Sequence, residues 1–157
     1  MSDPTGSAPT GDGGVVIPAA VHDILTDKPI GYLATTRPDG RLTVTPMAVM
    51  FDGTTVQLST ITSRRKFRNL GLDDRVALCV PHRNNPNRYV EIRGRAVLSP
   101  DHGRRLVNAI AKKYMDVEDY PFDRPGDERV VITILVEHVS SPEIPLADTP
   151  PSAPDAR

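Results

Sequence analysis

Residues 30–60 read IGYLATTRPDGRLTVTPMAVMFDGTTVQLST, and their punctuation decides the fold. Residues 30–36 are β-like, mostly β-branched, aromatic or small. Arg37-Pro38-Asp39-Gly40 follows as a turn, with proline and glycine where a turn favours them. Residues 42–51 form a second strand that Pro46 interrupts, and Asp52-Gly53 is a hairpin signal. Residues 54–60 alternate as a third strand. Three strands thus follow one another through tight turns, with no crossover helix between them. A parallel, doubly wound sheet needs such helices, so this segment excludes it, together with the glycine-rich dinucleotide turn of that fold.

Outward from this segment the pattern continues. Pro18 opens a short helix over 19–26. A basic helix is expected over 64–72, ending near Gly71, and a short buried strand over 76–80. Residues 81–87 read as a polar loop. Residues 88–98 read as a long strand containing Gly94, 101–115 as a helix, and 129–136 as the last strand. Six strands with hairpin links and three short helices predict a mainly β domain, a closed or nearly closed antiparallel barrel.

The chain has 157 residues, which suits one domain. Its 16 prolines and 11 glycines are concentrated toward the ends. Residues 1–16 are expected to be a disordered tail and 141–157 a proline-rich tail, in which Ile144 and Leu146 could dock on the surface. The folded domain is expected over 17–140. A formal charge of −1 excludes a general drive toward nucleic acid or an anionic membrane surface. No apolar run approaches the roughly 20 residues of a membrane helix, and no signal peptide is evident, so a cytoplasmic protein is the expectation. The single cysteine, Cys79, lies in an apolar strand and reads as a small buried hydrophobe. The four histidines are scattered without ligand spacing, so no metal site is expected. No serine elbow or carboxylate pair supports acyl transfer or acid–base catalysis, and no catalytic side chain is assigned.

Two features carry chemistry. Ser63-Arg64-Arg65-Lys66-Phe67-Arg68-Asn69 puts four cations within five residues, after the hydroxyls of Ser59, Thr60 and Thr62. Hydroxyls, cations and a helix start together make a seat for phosphate or carboxylate. The alternative is a solvated helix face that pairs with Asp73 and Asp74. Pro46 is the second feature. A proline in a strand marks an edge, a bulge or a strand end. It is either a barrel-corner kink or exposed backbone where a flat heterocycle can lie on Met47, Ala48 and Val49.

Taken together, these pieces resemble the split β-barrel flavin and deazaflavin oxidoreductases of the pyridoxamine 5′-phosphate oxidase superfamily. The closer likeness is to the actinobacterial enzymes that use the deazaflavin F420. The resemblance spans about residues 18–139. It rests on Ile30 to Thr35 with Asp39-Gly40, on Phe51-Asp52-Gly53, on Ser63 to Leu70, and on Asp74-Arg75-Val76. It continues through Asn85 to Gly94, Ala111 to Tyr114, and Arg129-Val130-Val131. It implies a six-stranded split barrel working as a homodimer, with cofactor sites between the subunits. It implies phosphate or carboxylate binding at Thr60, Ser63, Arg64, Lys66 and Asn69. The backbone of Thr45, Pro46, Met47, Ala48 and Val49 would lie along the ring system, and Tyr89 would reach toward the groove. The implied cofactor is F420, with FMN as the alternative. The implied activity is hydride transfer to a flat, activated, unsaturated molecule such as an enone, lactone, quinone or tetrapyrrole. An FMN oxidase and a non-catalytic F420 carrier are the other implied readings.

Overall fold

The computed structural model describes residues 14–142. The expected tails therefore lie largely outside the described residues, as do Ile144 and Leu146. Val15 already belongs to the folded part, since its N–H donates to the Val136 carbonyl at 2.7 Å. Seven strands form one antiparallel sheet: β1 (Ile30–Thr36), β2 (Leu42–Ala48), β3 (Met50–Phe51), β4 (Val56–Ile61), β5 (Arg75–His82), β6 (Asn85–Pro100) and β7 (Arg129–Ser140). The strand order is β2-β1-β5-β6-β7-β4-β3. Three α-helices accompany it: α1 (His22–Thr26), α2 (Arg65–Leu72) and α3 (Arg105–Met115).

The count of seven corrects the expected six. The expected strand over 42–51 is divided at Val49 into β2 and β3, which sit at the two ends of the sheet. One residue separates the ends, so the sheet must curl until they meet, and the barrel closes at Val49. Pro46 does not break the strand. It keeps its register opposite Tyr32, because an edge strand turns every second N–H away from its ladder and can spare one.

The break at Val49 is satisfied from outside the sheet. Its N–H is shared between the Tyr114 hydroxyl at 3.2 Å and the Pro29 carbonyl at 3.3 Å, and that hydroxyl donates in turn to the Pro29 carbonyl. Val49 is fully buried. Burial pushes the Tyr114 phenol up to about 12, so it stays a neutral donor across the ordinary pH range.

Alternation along the strands fills the interior with Leu33, Val56, Leu58, Leu78, Val80, Val90, Ile92, Ile132 and Ile134. The expected loop over 81–87 is mostly strand. His82 pairs with Asn85, leaving only Arg83 and Asn84 as the turn. β6 and β7 shift register at Gly94, whose partner is Val136 although Arg93 faces His138. The backbones are so close there that a Cβ on Gly94 would lie 1.9 Å from the Leu135 carbonyl oxygen. Asp101 starts α3 by accepting the Leu106 and Val107 N–H groups, both at 3.0 Å.

Candidate functional site

A cavity of about 670 Å3 opens where α2, the β2 edge and the 116–128 loop converge. Seven of the eleven residues singled out from the sequence line it: Pro46, Met47, Ala48, Thr60, Ser63, Arg64 and Lys66. The cavity thus joins the basic segment and the proline strand, which lie far apart in the fold's strand order.

The other four lie elsewhere. Thr45 is on β2 opposite Leu33. Val49 is sealed in the core at the strand break. Asn69 is buried, its amide donating to the Thr35 hydroxyl at 3.1 Å, so it fastens α2 to β1. Tyr89 sits on β6 opposite Pro81.

The cations are placed without counter-charges. Asp73 is held by Arg75 at 2.6 Å and Asp74 by Arg95 at 2.6 Å. Arg75 holds the Asp73 carboxyl down at about 2. The two carboxylates that could have paired with the basic helix are therefore taken. Among the described residues, Arg64, Arg65, Lys66 and Arg68 form no ion pair. Arg64 is exposed and Lys66 half-buried. Burial first, and the neighbouring Arg64 second, hold the Lys66 ammonium below the usual lysine range. Beside it, the buried Thr60 hydroxyl has no hydrogen-bond partner. Unpaired cations and an unsatisfied hydroxyl at one cavity suit an anionic group.

The rest of the lining comes from Ser59 and Ile61 on β4, Val107 and Ile110 on α3, and a stretch the sequence does not mark as a site: Tyr120, Phe122, Asp123, Arg124 and Asp127, with Arg129 at the start of β7. Asp123 receives Arg129 through Nε at 2.8 Å and Nη2 at 2.6 Å, and Arg104 from α3's side. These arginines hold its carboxyl below the usual aspartate range. The Arg129 guanidinium also lies 4.6 Å from the centre of the Tyr120 ring. Arg129 was part of the family likeness. The remaining residues gave no local signal, because their arrangement depends on Arg104 and Arg129 meeting across the loop.

Among the described residues there is no cluster of three metal-ligating side chains, and no helix is long and apolar enough to cross a membrane. Burial and Glu91 raise the Cys79 thiol, which leaves it a poor nucleophile.

A curled antiparallel sheet closing on itself, with a basic cleft beside the closing strand, is the split-barrel fold. The chain belongs to the pyridoxamine 5′-phosphate oxidase family, whose sequence profile matches residues 17–141. It is similar to a solved structure described as an F420 reductase, with 30% identity over 79% of this chain and 98% of that one, at a TM-score of 0.69. It is also similar to a conserved hypothetical protein of Mycobacterium tuberculosis, with 25% identity, coverage of 85% and 88%, and a TM-score of 0.65. A pyridoxamine 5′-phosphate oxidase-related, FMN-binding protein of Nostoc punctiforme shares the fold alone, at 15% identity, coverage of 76% and 78%, and a TM-score of 0.55.

Proposed function

We propose that this chain is an F420H2-dependent reductase acting on flat, activated, unsaturated small molecules. The observation that carries the reading is the unpaired basic segment at the cavity, with Lys66 half-buried and held below its ordinary pKa. A phosphate or carboxylate placed there supplies the missing counter-charge. The likeness to an F420 reductase over nearly its whole length supports the deazaflavin over FMN.

Arg64, Lys66, Ser63 and Thr60 would hold the anionic tail, and the strand at Pro46, Met47 and Ala48 would carry the flat ring. When bound in its reduced form, F420 supplies a hydride, and the protein supplies position and electrostatics. The Tyr114 hydroxyl is committed to Pro29 and Val49, and the reading assigns no side chain as the proton source.

The same reading includes a homodimer with shared sites. Tyr32, Leu42 and Val44 project from one face of β1 and β2, with relative exposures of 45%, 75% and 60%. Pro46 is on that face and also lines the cavity, so a second copy seated there would wall the cleft. Val44→Asp should convert a dimer to a monomer in light scattering.

Titration with F420 and with FMN tests the cofactor. Saturable F420 binding without FMN binding is expected, followed by oxidation of F420H2 when an enone or quinone is added. A protein that purifies yellow with FMN would overturn the deazaflavin reading. Tight F420 binding with no turnover on any acceptor would indicate a carrier.

A further inference from the structure

The 116–128 loop is not a slack connection. The Tyr120 N–H donates to the Asn108 side chain at 3.0 Å, and the Tyr120 carbonyl accepts from Arg104 at 2.9 Å. Asp123 is clamped by Arg104 and Arg129, and the Arg124 N–H donates to Asp127 at 2.8 Å. Between these anchors stands Phe122. It is 70% exposed, yet it lines the cavity. Among the described residues its one ring neighbour is Tyr120, met edge-on at 5.6 Å and 80°, an arrangement that leaves a face of the Phe122 ring uncovered. A large apolar ring held in place by polar clamps on both sides, and left bare toward a cleft, is poised to cover another flat surface.

We propose that Phe122 is a specificity-determining residue, the platform on which the hydride acceptor stacks. This rests on the reading that the cavity takes a deazaflavin. With the tail at Arg64 and Lys66 and the ring on Pro46 to Ala48, the lining left for a second reactant includes aliphatic Val107 and Ile110 and charged residues, and its aromatic surface is Tyr120 and Phe122. Hydride transfer needs the two planes face to face at about 3–3.5 Å. An acceptor held that way has its other face toward the bare ring of Phe122. The clamp makes the platform rigid before binding, so it selects planar acceptors over puckered ones of equal hydrophobicity.

The chain contains no tryptophan, so Phe122→Trp installs a single reporter at the proposed platform. The experiment uses the full chain, alone and saturated with F420, titrated with the planar quinone menadione. Phe122→Trp should bind menadione as the wild type does, with saturable quenching of its emission. Phe122→Ala should raise the menadione Kd at least fivefold and leave the F420 Kd within twofold. Unchanged menadione affinity in Phe122→Ala, or Phe122→Trp emission unmoved by saturating menadione, overturns the proposal. So does a loss confined to F420 affinity, which would assign Phe122 to the cofactor, and so does a wild type that binds no menadione. Failure of the wild type to bind F420 would refute the deazaflavin reading independently, because the menadione titration of the chain alone still reads the platform.

Discussion

Lys66 should behave in opposite ways in the free and the cofactor-bound protein. In the free protein its ammonium is half-buried beside Arg64 with no carboxylate partner. A lysine whose folded pKa lies below its unfolded value of 10.5 disfavours folding while it is charged. That penalty is present at neutral pH and fades as pH rises through the lysine range. Lys66→Met keeps the apolar stem and removes the charge. The melting temperature of the free protein should therefore stay level or rise. Binding should move the other way. A charge–phosphate contact at about 4 Å is worth roughly 4 kcal/mol gross near a protein surface. Hydrogen bonds to charged groups retain about 1.5–3 kcal/mol of this net. Each 1.4 kcal/mol is tenfold, so the F420 Kd should rise by roughly 10- to 100-fold. Arg64 is exposed, and its contact is worth about 0–1 kcal/mol, so Arg64→Ala should cost no more than about fivefold. Isothermal titration calorimetry measures both, with a deazaflavin lacking the phosphate tail as control. The tailless compound should not distinguish Lys66→Met from wild type. A lower melting temperature combined with unchanged F420 affinity would refute the reasoning, because it would make Lys66 a structural residue.

Three further outcomes test the frame around the site. Gly94→Ala should destabilise the protein by more than about 3 kcal/mol in urea denaturation, since a Cβ there meets backbone 1.9 Å away and no side chain can yield. Tyr114→Phe leaves the buried Val49 carbonyl without its hydroxyl donor, while the Val49 N–H keeps the Pro29 carbonyl, and should cost about 1–3 kcal/mol; the cost should not vary between pH 6 and 9, because the phenol titrates at about 12. Asp123 has a folded pKa below its ordinary 3.8, so its contribution is complete above that value and is lost as pH falls through the lowered one. Asp123→Asn should therefore be less stable than wild type at pH 7, with the gap closing in urea titrations as pH drops below about 4.

The parts of this molecule governed by near neighbours were legible in the sequence. The strand over 30–36 carries its own alternation and its own turn, and the structure keeps those bounds. The cations crowd into residues 64–68 and are plain in the sequence; that they lack carboxylates is not, because it depends on Arg75 and Arg95 taking Asp73 and Asp74, which the sequence leaves open as partners. Where the cause is distant, the sequence misdirects. Pro46 looked like the interruption, but an edge position tolerates it. The true break is at Val49, a good strand former, whose backbone groups are taken up by Pro29 and by Tyr114, 65 residues away. Asn69 sits among the cations and reads as a ligand, yet its amide is turned to Thr35 on β1. The Phe122 wall had no local signature at all, because two arginines from separate elements fix it.

Pro46 has a consequence beyond the cleft. β2 is a terminal strand of the sheet, and its outer side is a row of backbone groups to which another chain could add. At Pro46 that row lacks a donor, so an incoming strand would lose a rung of its ladder midway along. The residue that keeps backbone bare beside the cavity thereby also limits sheet extension into aggregates. An alanine there would preserve the strand and restore the rung, so its cost would appear as reduced colloidal stability at high concentration rather than as a lower melting temperature.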